Sequence, residues 1–421
     1  MTFRKKKDVF VSVLDLGSTK TAACLCRLRG GHQLELLGLG VAPSMGVRNG
    51  NVVDLEEASL AIRTAVEKAE KDSGARMGRS LVGINGRGLK SFNSRGSVSL
   101  GGAPLPITNA HVTKCVDAAR NISLAGSQQP VHDVIRHCIV DDELEVDNPI
   151  GMVGTRLEVG LHIITLPRTQ TVHFTKAVNH AGIHVSRLVV QPLAGADSAL
   201  KPEEKEFGCL LVEVGACATS GVVFQKGKIQ HSFSIPVGGE HFTRDIVTGL
   251  RTTLKEAEHV KCESGVIESR TVEPDETLEI VGAGSGKSRR VARQVLAEIL
   301  QPRSQEILEY IRGELRLAGY ESAQMSSAVF CGGGAMLNQF VTFAEGFLDI
   351  PCRLGHPAVP EGWPESLSTP AYAGLVGLVL RARIAQAQRD LPYAERLAGG
   401  EGILNKTSGR FRSWFQEFLS I

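Results

Sequence analysis

The feature that most restricts this fold is one pattern written twice, once in each half of the chain. Residues 9–14 form a β-branched apolar run that closes in Asp15-Leu16-Gly17-Ser18. Residues 208–214 form a second run that closes in Glu213-Val214-Gly215. Each reads as a buried strand that delivers a carboxylate to a tight turn. Two more strands follow each time, Lys20–Leu28 and Gln33–Val41 in the first half, Thr219–Phe224 and Lys228–Ile235 in the second. Self-similarity of this kind points to an internal duplication, and 421 residues suffice for two to four domains.

The segments between the repeats supply helices and an insertion. A helix starts at Asp54, with Leu55, Ala58, Ala61, Ile62, Ala65 and Val66 at helical spacing, and Leu81–Ile84 is a short strand. Residues 85–158, rich in Gly, Ser, Asn and Asp, read as an inserted α+β module with a helix near 110–119. Strand 159–165, helix 168–181 and strand 185–190 then resume the first lobe. Gly238-Gly239-Glu240 leads into a helix, 264–288 reads as a polar hairpin, and 291–318 is helical. Val329–Cys331 is a strand that ends in Gly332-Gly333-Gly334. The expected division is 1–84 with 159–205, the insert 85–158, 206–235 with 326–385, then 236–325, a polar linker 386–408 and a terminal segment 409–421.

Composition narrows the class. A net charge of +2 is too balanced for a chain whose main partner is nucleic acid. The best apolar run, Ala371–Leu380, falls far short of the ~20 residues that span a bilayer. No signal-peptide pattern follows the basic cluster Arg4–Lys7. Nine scattered cysteines without Cys-x-x-Cys fit a reducing cytoplasm, with Cys24 and Cys26 as buried thiols of one strand.

The turns have phosphate chemistry. Gly residues between strands let backbone N–H groups approach a polyphosphate. The Ser18 hydroxyl can donate to phosphate oxygen, Lys20 adds a point charge, and Asp15 suits a water-mediated Mg²⁺ contact. One such turn alone reads more readily as an ordinary hairpin turn. Two of them, Gly17 with Ser18 and Gly215 after Glu213, would face each other across one triphosphate. Gly332, Gly333 and Gly334 would let base and sugar lie against backbone, with Gly238, Gly239, Glu240, Glu258 and Lys261 as the wall for ribose and adenine. Gly282-Ala283-Gly284-Ser285-Gly286-Lys287-Ser288 fails the spacing of a P-loop, because its first glycine would fall at Val281. The histidines show no metal-ligand spacing.

The terminal segment carries a separate signal. Phe411, Trp414, Phe415, Phe418 and Leu419 recur at helical spacing as one apolar stripe, with Arg410 and Arg412 beside it. The alternatives are a helix docked on the domain's own core and an interfacial membrane helix. The polar linker and the aromatic residues favour the second.

In this order these residues resemble the actin, Hsp70 and sugar-kinase superfamily and, within it, the bacterial FtsA family of cell-division proteins, over essentially the whole chain. The carrying segments are Leu14–Lys20, Val237–Ile246, Leu296–Arg303 and Val329–Ala335. The resemblance implies an α/β, actin-like two-lobed ATPase fold with an inserted α+β subdomain, called 1C in the family, and a C-terminal amphipathic helix. It implies ATP with Mg as ligand, self-association into an actin-like filament, and tethering of FtsZ filaments to anionic lipids. The place implied is the cytoplasmic face of the inner membrane at the division septum. By the same resemblance the FtsZ C-terminal tail meets subdomain 2B near 236–325, where Arg289, Arg290 and Arg293 are candidates to receive it, and later division proteins meet the insert. One departure stands out. The family's second phosphate turn carries Asp, three glycines and Thr, where this chain has Glu213-Val214-Gly215-Ala216-Cys217-Ala218, and a later Asp is Ser220. The added Cβ atoms obstruct phosphate, so at most weak ATPase activity is expected. A pilus-assembly adaptor and a small-molecule kinase of the same fold are the alternatives.

Overall fold

The structure, a computed structural model, describes residues 9–387 apart from 30–32, 85, 122–125, 285 and 322–323. The repeated pattern becomes two five-stranded sheets of one topology. In the first, Val9–Leu16, Lys20–Arg29 and Gln33–Pro43 form an antiparallel meander. Arg79–Ile84 then pairs parallel with Val9–Leu16, and His184–Val190 pairs parallel with Arg79–Ile84. In the second, Cys209–Val214, Thr219–Gln225 and Lys228–Ile235 form the meander, and Ser327–Cys331 and Cys352–Leu354 add in parallel. The strand that carries the carboxylate is central in both sheets. A central strand is covered on both faces, which is why both runs are nearly continuous in apolar residues.

Helices complete each lobe. Leu55–Ser73 starts at Asp54, whose side chain accepts the N–H groups of Glu56 and Glu57, and ends at Gly74 with φ 66°. Its face of Ala58, Ile62, Ala65 and Ala69 packs on the first sheet. Helix Gln191–Ala199 runs between the sheets. Leu193 and Ala196 share one core with Leu14 and Ile84 of the first sheet and Leu211 and Val329 of the second. Helix Ala373–Ala387 places Leu375, Val376, Leu378 and Val379 against Val11, Val13, Ala22 and Cys24, on the other face of the first sheet. This corrects the assignment of 326–385 to the second lobe, because the last part of that range returns to the first. The helix also runs two residues into the expected linker.

The insert is a four-stranded antiparallel sheet. Gln128–Val140 and Arg156–Pro167 lie at its centre, with Leu144–Val146 and Lys90–Ser99 at its edges, and helix Asn109–Arg120 packs on one face. Residues 159–165 therefore belong to the inserted sheet, and the boundary expected at 158 cuts through a strand of it. The polar hairpin is Thr277–Val281 with Ser288–Ala292, later than expected, because helix Leu254–Ser264 precedes it. Among the described residues the cysteines are all unbridged, Cys24 and Cys26 are both buried, and no helix is long and apolar enough to cross a membrane. The stripe Phe411–Leu419 with Arg410 and Arg412 lies outside the described residues.

Candidate functional site

The two central strands end in Asp15 and Glu213, at equivalent positions of like sheets. The carboxyl ends of parallel-paired strands are where α/β sheets hold ligands. The first turn is closed by the Gly17 N–H donating to Lys20 O at 3.0 Å and steadied by the Ser44 hydroxyl on Gly17 O at 2.7 Å. The second is closed by the Gly215 N–H on Ala218 O at 2.9 Å. The turns lie close enough that Asp15 and Lys20 of the first act electrostatically on Glu213 of the second.

Charge is concentrated between them. Burial pushes the Asp15 carboxyl up to about 6, against a smaller opposing effect of Lys20. Burial, reinforced by the negative charge of Asp15, pushes Glu213 up to about 8. The Lys20 ammonium donates to Ala371 O at 2.9 Å and lies 3.3 Å from the centre of the Tyr372 ring. Burial lowers its pKa and the two carboxylates oppose that shift. Glu213 Oε2 is buried without a hydrogen-bond partner.

Gln191 is the residue that reading the sequence missed. Its amide donates to Asp15 Oδ1, and its Oε1 is buried without a partner. It fits between Gly83 and Gly374, where a Cβ on either would strike it. The available signal was a polar residue at the end of a parallel strand, directly before Pro192.

The remaining expected residues assemble from the second lobe. The Gly239 and Glu240 N–H groups donate to Gly215 O and Ala216 O, each at 2.8 Å, so helix Gly239–Leu250 is locked onto the second turn. A side chain at Gly238 would collide with Gly215 O. Lys261 donates to Glu258 at 2.7 Å, to Thr243 Oγ1 at 2.9 Å and to Gly239 O at 3.1 Å, which sets this pair beside Gly238 and Gly239. Gly332 has φ +85°, and a Cβ at Gly332 or Gly334 would strike Val214; around Gly333 there is open space. Cys217 donates to Glu240 at 3.0 Å, so the altered second turn carries a side chain bonded to this wall.

Backbone turns, a hydroxyl, a held ammonium and paired carboxylates converge here. This donor and acceptor set suits a polyphosphate with a divalent cation, which would satisfy the unpartnered Glu213 Oε2 and separate two like charges. Among the described residues no three His, Cys, Asp or Glu side chains gather as a metal cage. The three arginines do not share a helix face. Arg289 and Arg290 sit on strand Ser288–Ala292, where neighbours alternate sides, and Arg293 opens the next helix. Arg289 donates to Leu250 O, and Arg293 pairs with Glu276 at 2.6 Å, which leaves Arg290 the most available.

Comparison with known proteins agrees with this architecture. Residues 210–377 match the family model described as Cell division protein FtsA, and residues 86–165 match that of the SHS2 domain inserted in FtsA. Among solved structures, the PilM-PilN type IV pilus biogenesis complex shares the fold with TM-score 0.63 and 16% identity, covering 89% of this chain and 98% of that one. MreB5 of Spiroplasma citri bound to ADP does so with TM-score 0.52 and 14% identity, covering 90% and 98%. The fold is therefore the actin-like one. A Cell division protein FtsA from Neisseria meningitidis is 32% identical over 98% of this chain and 99% of its own length. Identity at that level across both lobes and the insert decides the family: the chain belongs to the FtsA family of cell division proteins.

Proposed function

We propose that this chain binds ATP between its lobes, self-associates, and tethers FtsZ filaments to the cytoplasmic face of the membrane at the division site. The observation that carries the nucleotide reading is the pair of carboxylate-bearing turns, with Asp15 and Lys20 near Glu213, the Glu213 Oε2 buried without a partner, and open space at Gly333. In this reading Gly17, Ser18, Lys20 and Gly215 meet the phosphates. Gly238, Gly239, Glu258 and Lys261 line the ribose and base, and Gly332, Gly333 and Gly334 lie beneath them. Asp15, through water, and Glu213 hold magnesium, which when bound supplies positive charge to the phosphates. The relative bound to ADP supports nucleotide in this fold.

Hydrolysis is slow in this reading, because Ala216 and Ala218 add side chains to a turn that works best bare and Cys217 ties it to Glu240. The FtsZ tail meets the lobe at 236–325, with Arg290 its most available cation, and later division proteins meet the insert. The stripe Phe411, Trp414, Phe415, Phe418 and Leu419, with Arg410 and Arg412, is the anchor. Gly333→Asp tests the cleft, since a carboxylate there meets the nucleotide without disturbing packing. ATP affinity measured by calorimetry is expected to fall at least about tenfold with the melting temperature unchanged. Equal affinity in both proteins would refute this site.

A further inference from the structure

Two histidines of the inserted sheet are buried, and each reaches a different lobe. His132 and His162 lie on neighbouring strands, where His132 pairs with Ile164 and Val134 with His162. His132 Nε2 accepts the backbone N–H of Val190 at 3.2 Å. Val190 directly precedes Gln191, whose amide holds Asp15. His162 reaches the second lobe, with Nδ1 2.7 Å from Asn93 Oδ1 and Nε2 3.0 Å from Ser232 Oγ. Asn93 donates its amide to Gln230 O at 3.1 Å, which leaves its Oδ1 to accept from His162. Nδ1 therefore carries the ring proton, and Nε2 accepts from Ser232.

The same contact is closed by other side chains of the insert. The Ser91 hydroxyl donates to Ser232 O at 2.7 Å and accepts the Ser232 N–H at 3.2 Å. Arg136 donates to the side-chain oxygen of Gln230. Side chains of the insert thus occupy the edge of the second sheet where another strand would otherwise pair. Burial holds both histidines neutral, His162 down to about 3 and His132 well below its ordinary value. Both imidazoles therefore serve as fixed acceptors.

We propose that the inserted module braces the two lobes, with His132 and His162 as positioning residues, so that the contact on one lobe is felt at the other and at the nucleotide cleft. The chain of contacts is short: His132 holds the backbone beside Gln191, and His162 holds the edge strand of the opposite lobe. The ligand readout rests on the nucleotide reading above; the exchange readout does not.

The test uses the full chain. His132→Leu leaves the buried Val190 N–H unbonded, whereas His132→Gln keeps an acceptor. Ser232→Ala removes the Nε2 partner of His162, whereas Ser232→Thr keeps a hydroxyl. Hydrogen–deuterium exchange is followed at 184–190 and at 228–235, and affinity is measured with a fluorescent ATP analogue. Ser232→Ala is expected to speed exchange in both segments and to weaken the analogue about fivefold or more, with Ser232→Thr restoring both. His132→Leu should do the same from the other side, with His132→Gln restoring it. If His132→Leu does not fold, the Ser232 pair decides. Faster exchange only in the segment next to the substitution, with unchanged affinity, overturns the brace. If the wild-type chain binds no analogue, the nucleotide reading falls. The brace then stands or falls on whether Ser232→Ala speeds exchange at 184–190.

Discussion

Glu213 illustrates what a single buried carboxylate does to the whole chain. Its ordinary pKa is near 4.3 and its folded value is about 8. Between those values the folded chain keeps a proton that the unfolded chain has released, so this residue makes stability fall as pH rises through that window. Asp15, raised to about 6, acts with the same sign over the lower part. Glu213→Gln fixes the uncharged form. In protein free of nucleotide and metal, the variant is expected to lose the upper part of the slope and to melt roughly 1–4 °C above wild type above about pH 8. The measurement is melting temperature against pH, and a flat wild-type profile would contradict the buried pair. The neighbouring turn makes a second residue-scale prediction. Ala216→Gly, Cys217→Gly and Ala218→Thr together free Glu240 from its thiol partner and return a hydroxyl to the turn. Affinity for ATP is expected to rise about fivefold, read by competition with a fluorescent analogue.

Elements differ in how openly their residues announce them. The meander strands and helix Leu55–Ser73 were legible because apolar runs, Gly turns and the Asp54 cap are local signals. Helix Gln191–Ala199 was not, since it is buried on nearly every side and Leu193-Ala194-Gly195-Ala196 shows no amphipathic period. Helix Ala373–Ala387 is apolar along its first turns for the same reason, and nothing local says which lobe receives it. Strand Arg156–Pro167 joins a sheet whose other members begin up to 66 residues earlier in the chain, at Lys90. The site follows the same rule. Asp15, Gly17 and Lys20 are written in one turn, whereas Gln191 joins the candidate site only through what surrounds it. The terminal stripe makes the prediction proper to an element. If the stripe anchors the chain as proposed, Trp414→Glu is expected to remove ~2–3 kcal/mol of apolar burial and to weaken binding to anionic liposomes by roughly 30- to 150-fold. Co-sedimentation equal to wild type at matched salt would refute the anchor.

At the scale of the molecule, the lobes share a core through helix Gln191–Ala199 and a second link through the insert. A ligand seated between them binds the folded chain alone, so magnesium and ATP together are expected to raise the melting temperature. At a hundredfold excess over Kd the gain is about 2.7 kcal/mol. Scanning calorimetry with ATP, with magnesium and with both separates the contributions, and a melting point indifferent to all three would remove the cleft from consideration. The duplicated sheets have one more consequence. Two copies of a half that each end a central strand in an acid bring two carboxyl groups to one place, because the architecture maps one acid onto the other, and burial beside Asp15 keeps a proton on Glu213 up to about pH 8. In the reading proposed above, a cation settling between Asp15 and Glu213 would displace that proton, so the cleft would trade a proton for its metal.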